Sequence, residues 1–175
     1  MTANECARPE RIDTIGSAYR TVSIVATAEE CVALAARFGL RAVEELSAAL
    51  RVWRDATGIV ADGRVRARVV QACVVTDESV ATAVDEPIAV RFVAAEALAS
   101  AADEIELAAD ALDTISYNGP TIDLGEAVAE TMALALDPFP RSPAGAAALA
   151  AAGVVSEESV GPFGALAALR DKMGG

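Results

Sequence analysis

The run VRARVVQACVV, residues 65–75, and the run VATAVDEPIAVRFV, residues 80–93, constrain the fold more than any other feature. In the second, Val80, Thr82 and Val84 alternate with small or charged residues, and Ile88, Val90 and Phe92 continue on the same side after Pro87. A period of two sends successive side chains to opposite faces, which a strand accommodates and a helix does not. Upstream, VEELSAALRVW (43–53) alternates only in part, and ATG with a nearby DG supplies turn chemistry. Residues 43–92 therefore predict three antiparallel strands with at least one bulge or bend. Pro87 marks an edge or a break, because proline cannot donate to a ladder. A curved antiparallel sheet or small open barrel is the natural way to bury such a set.

Helices flank it. Residues 21–25 are short and β-branched, and Thr27 then opens a T-x-x-E capping box with Glu30. Cys31, Leu34, Ala35 and Phe38 follow on one helical face, and Gly39 is placed to stop it. Farther on, Asn118-Gly119-Pro120 is a turn, and Asp123 begins a D-x-x-E box with Glu126. Leu124, Val128, Met132, Ala135 and Leu136 form an apolar face, and Pro138 and Pro140 end the helix. The stretch RSPAGAAALAAAGVVSEESVG is low in complexity and reads as loose, ahead of a short helical segment, PFGALAALRDK. The expectation is an α+β fold with two to three flanking helices. Residues 1–141 form a single domain, and 142–175 a flexible alanine-rich tail ending in a short helix.

Composition narrows the chemistry. There is no histidine, which removes His-based acid–base catalysis, Ser-His and Cys-His nucleophile pairs, and nearly all transition-metal sites. Cys6, Cys31 and Cys73 are too few and too widely spaced for a disulfide framework or a zinc pattern. No apolar run reaches the length of a membrane span, and MTANECARPERIDTIG lacks the apolar core of a secretory signal, so the cytoplasm is the expected location. The formal net charge of −12 argues against broad nucleic-acid binding. That charge is uneven: residues 27–93 carry ten acids against eight arginines, whereas 94–137 carry ten acids and no base.

Three groups of side chains invite a chemical reading. Arg64, Arg66 and Arg68 at i, i+2 and i+4 leave one face of one strand. Such a row, about 13 Å long, can track a phosphate backbone or form a solvated face paired with Asp and Glu on a neighbouring strand. No aromatic stacking pair flanks the row, which weighs against a single-strand reader. Asp123, Glu126 and Glu130 invite acid–base or Mg²⁺ work, but capping explains the first two and a solvated helix face the third. Cys73 has neither histidine nor a second cysteine to lower its pKa or share a metal, and reads, like Cys31, as a small buried hydrophobe. No cofactor, metal or catalytic residue is expected, and no oligomeric state is assigned.

The stretches TIDLGEAVAETMALALDPFPR (121–141) and GPFGALAALRDK (161–172) resemble the YceD family, the large ribosomal RNA subunit accumulation proteins. RARVVQACVVTDE (66–78) and the helix ATAEE…AARFGL (26–40) are similar to the form in alphaproteobacterial members. The resemblance implies a noncatalytic role in accumulation or maturation of large-subunit (23S) ribosomal RNA. With that role, the arginine row leads to the expectation that the protein meets ribosomal RNA, a pre-ribosomal particle or a large-subunit protein through Arg64, Arg66, Arg68 and a basic rim. The alternative is an acidic protein-binding module whose 94–137 segment holds a basic large-subunit ribosomal protein before assembly. Many family members carry a second cysteine where this chain has Thr76, so the resemblance extends no metal or redox pair to Cys73.

Overall fold

Turn chemistry at residues 55–58 builds the central hairpin. The Asp55 carboxylate accepts N–H bonds from Thr57 at 2.8 Å and Gly58 at 3.0 Å, and the Asp55 N–H donates to the Gly58 carbonyl. This side-chain turn sends β3 (Ala42–Arg54) back as β4 (Ile59–Ala72). Only glycine fits at 58, since a Cβ there would lie 2.5 Å from the Phe92 carbonyl oxygen. In register, Arg51 faces Asp62, Ala49 faces Arg64, Ser47 faces Arg66 and Glu45 faces Arg68. A bulge between Val43 and Glu45 explains why VEELSAALRVW alternates only in part. It moves the inward positions from Val43 to Leu46, Ala48, Leu50 and Val52, all buried.

The computed structural model describes residues 5–100 and 112–153. Around the hairpin lie β1 (Pro9–Arg11), β2 (Arg20–Val25), α1 (Ala28–Phe38), β5 (Ser79–Ala94), α2 (Ala95–Ser100), β6 (Asp113–Tyr117), β7 (Thr121–Asp123), α3 (Leu124–Leu134) and α4 (Pro143–Ala151). The main sheet runs β2-β3-β4-β5-β6, and β1 pairs with β7 in a second, two-stranded sheet. The fold is α+β with an open sheet rather than a closed barrel. It is also mixed rather than wholly antiparallel, because β6 joins β5 parallel. Pro87 does not end β5. Pairing with β6 begins only at Val90, so the missing donor of Pro87 breaks no bond on that side.

The chain divides into two compact units, one of Met1–Gln71 with Ala81–Asp137 and the other of Ala72–Val80 with Pro138–Gly175. The core of the first is made almost wholly of aliphatic residues. Ile24, Leu46, Leu50, Val52, Ile59, Val65 and Val69 from the sheet meet Leu34 of α1 and Leu124, Val128 and Met132 of α3, each 1% exposed or less. The Thr27/Glu30 capping box forms in both directions, and Gly39 closes α1 with a φ of 65°. At α3 the Asp123 carboxylate accepts the Gly125 and Glu126 N–H bonds. The expected return half of that box is replaced, because the Glu126 carboxylate turns to Arg37.

In the second unit, α4 forms where loose chain is expected. Ser142 caps it by accepting the Gly145 N–H at 2.9 Å, Pro143 occupies the first turn, and alanines continue it. The segment PFGALAALRDK lies outside the described residues.

Candidate functional site

The sheet has one covered face and one open one. Even-numbered β4 residues from Asp62 to Arg68 point outward, as do the odd-numbered β3 residues from Glu45 to Arg51 that oppose them. Arg64, Arg66 and Arg68 therefore stand together in a row, as the alternation requires, and each side chain is more than half exposed. Each also meets a carboxylate. Arg64 bonds to Asp85 of β5, Arg66 lies 3.5 Å from the same carboxylate, and Arg68 reaches Glu45 at 2.9 Å and Glu44 at 3.8 Å. Arg64 first, then Arg66, holds the Asp85 carboxyl below its ordinary pKa. Paired carboxylates thus offset the arginine charge along this face.

Three residues outside the expected set join this face. Arg51 forms a two-bond pair with Asp62, 2.9 Å at Nε, and its guanidinium lies 5.9 Å from the centroid of the Tyr19 ring. Trp53 faces Val60 across the hairpin, and Val60 is buried there although the rest of the face is open. Tyr19 and Trp53 therefore stand by Arg51 at one end of the face that carries the arginine row, brought there in space rather than in sequence. A hairpin centred on DATG pairs Trp53 with Val60 and Arg51 with Asp62, so that turn was the signal that could have found them.

The carboxylates of 123–130 serve the fold. Asp123 caps α3 and also accepts the Arg8 backbone N–H at 2.9 Å, while Arg37 clasps Glu126 and Glu5. Glu130 has its pKa raised, by partial desolvation first and by Glu126 second.

Cys73 sits at the start of a turn in which its N–H donates to the Glu78 carbonyl and its carbonyl accepts from Asp77, the latter at a φ of 59°. Its sulfur accepts N–H bonds from Ser142 at 3.3 Å and Val75 at 3.5 Å. The thiol is brought down to about 6, by the Thr76 hydroxyl first and the Ser142 N–H next, against the effect of burial. The lowering comes from hydrogen-bond donors rather than from a cation or a second sulfur. The hydroxyls of Thr76 and Ser142 lie 3.2 Å apart and both bond to Glu78. One thiol, two hydroxyls and one carboxylate are not the donor set of a structural zinc site. They form a hydrogen-bonded knot that holds the Cys73 turn to the cap of α4.

The family model described as large ribosomal RNA subunit accumulation protein YceD matches residues 61–170. The chain belongs to the YceD family. The match runs from within β4 to beyond α4 and takes in the arginine row, Cys73 and α3. The YceD likeness of the 26–40 helix falls before it. Comparison with curated proteins and with solved structures returned no match. YceD membership carries a ribosome-related role. Among the described residues, no helix is long and apolar enough to cross a membrane.

Proposed function

We propose that this protein is a noncatalytic ribosome-biogenesis factor of the cytoplasm that contacts large-subunit (23S) ribosomal RNA, or the particle carrying it, through the open sheet face. The observation that carries the reading is the row of Arg64, Arg66 and Arg68, aligned on one strand and exposed, in a family described by accumulation of that RNA. Exposed ion pairs of this kind contribute little to stability, because solvent screens them. A phosphate that accepts two N–H bonds from one guanidinium can therefore displace Asp85 or Glu45 at small cost. The noncatalytic reading is supported by Asp123 and Glu126, whose oxygens are engaged in capping α3 and clasping Arg37. Replacing Arg64, Arg66 and Arg68 together by Glu is expected to abolish crosslinking to large-subunit ribosomal RNA in cells. Unchanged crosslinking would remove the arginine assignment. Magnesium-dependent RNA cleavage by the pure protein, lost on Asp123→Asn, would overturn the noncatalytic one.

The second reading, a module that holds a basic large-subunit ribosomal protein, is favoured by the net charge of −12 and by the carboxylates beside the arginines. It predicts that affinity capture recovers the ribosomal protein after nuclease treatment, whereas direct RNA contact predicts that nuclease abolishes recovery.

A further inference from the structure

The open face changes character at one end. Tyr19, just ahead of β2, lies beside Arg51, which pairs with Thr21. Tyr19, Arg51, Trp53 and Ser17 line an open recess of about 390 Å³. Its walls are a phenol ring that is 66% exposed, a half-buried indole, and a guanidinium 5.9 Å from the phenol centroid. From there the face runs along β3 and β4 to Arg68 over about 27 Å. Small side chains, Ser23, Ser47 and Ala49, keep its floor low beside the arginines.

Resting on the RNA reading above, we propose that this recess is a stacking subsite for an unpaired nucleobase, with Arg51 placed for the adjoining phosphate and Arg64, Arg66 and Arg68 following the strand onward. Aromatic faces accept any base in this way, and cations track the backbone beside them. The chemistry favours a nucleic acid over a protein partner, whose contact would centre on an apolar patch depleted of charge; this face is rich in paired charges and small side chains. Duplex RNA does not offer the free base the recess takes, so the subsite reads single strands, loops or bulges.

Trp53 is the only tryptophan of the chain, so its emission reports the recess directly. The full-length protein would be titrated with an end-labelled single-stranded oligoribonucleotide of mixed sequence at low salt, reading label anisotropy and Trp53 emission together. The expected result is quenching of Trp53 along the same isotherm as the anisotropy. Tyr19→Ala should weaken binding at least about fivefold, while Tyr19→Phe keeps it, both at unchanged melting temperature. A variant with Arg64, Arg66 and Arg68 all replaced by Ala should bind more weakly yet still quench at saturation. Binding with constant Trp53 emission and an indifferent Tyr19→Ala would overturn the subsite and leave the RNA reading standing. Equal affinity for duplex of the same sequence would also overturn it. No anisotropy change at all would remove both, and emission that varies with protein concentration but not RNA would mark the recess as a contact between copies instead.

Discussion

The arginines of this protein fall into two sets whose difference lies in what surrounds them. On the open face, Arg51, Arg64, Arg66 and Arg68 have side chains 51–66% exposed and partners on the adjoining strand, free to exchange with solvent. Elsewhere in the first unit, Arg8 and Arg37 are each 30% exposed and bind segments distant in sequence. Arg8 bonds both oxygens of Glu30 and the Val25 carbonyl, and its own N–H meets Asp123. Arg37 joins α1 to Glu5 and to Glu126 of α3. One residue type thus supplies a clasp where it is half-buried and multiply bonded, and an available surface cation where it is not.

The largest effect that would sharpen this contrast is expected at the clasp. A Cβ at Gly125 would lie 1.7 Å from the Cys6 carbonyl oxygen and 3.1 Å from the Arg8 nitrogen, so the N-terminal segment crosses α3 in backbone contact. Gly125→Ala should destabilise by about 3 kcal/mol, a fall in melting temperature of roughly 6–12 °C. A variant that melts with the wild type would show that the clasp is not rigid.

Next comes Arg8→Ala, expected to cost about 2 kcal/mol because it removes charge-assisted bonds and strands Glu30. The pH dependence separates this from simple loss of packing. Arg8 first, and the Thr27 N–H second, hold the Glu30 carboxyl at about 2 instead of 4.5. A carboxyl depressed in the folded state contributes stability above its unfolded value and loses it as pH falls from 4.5 toward 2. Partial exposure limits that contribution to on the order of 1–2 kcal/mol. Urea melts between pH 6 and 2.5 should show this acid loss in the wild type and much less of it in Arg8→Ala; identical profiles would contradict the clasp.

The smallest stability effect belongs to the open face. Arg66, the most exposed of its row, meets Asp85 loosely at 3.5 Å, so Arg66→Ala should change stability by less than about 0.5 kcal/mol while reducing RNA crosslinking. A loss of stability comparable to that of Arg8→Ala would erase the distinction between the two sets.

Much of the open face was legible in the sequence because its cause is local. Alternation alone places Arg64, Arg66 and Arg68 together, and Thr27, Glu30 and Gly39 announce both ends of α1 within a dozen residues. What was not legible depends on register or on distant chain. The bulge at Val43/Glu45 changes which residues at the start of β3 face outward, while Arg51 and Trp53 fall beside the row through the register that the DATG turn sets. The parallel addition of β6 follows from no local pattern. Arg8 and Asp123 are 115 positions apart, and Ser142 reaches Cys73 across 69. Ser142-Pro143 carries the start signal of α4, but the alanines after it offer no apolar period to mark a helix.

The contrast is tested most directly by arginine-selective dicarbonyl labelling, read residue by residue by mass spectrometry, on the free protein and on the protein bound to large-subunit precursor particles. The account predicts fast labelling of Arg51, Arg64, Arg66 and Arg68 in the free protein and their protection on binding, with Arg8 and Arg37 slow in both states. Equal labelling of the four open-face arginines in both states, with protection arising elsewhere, would contradict it.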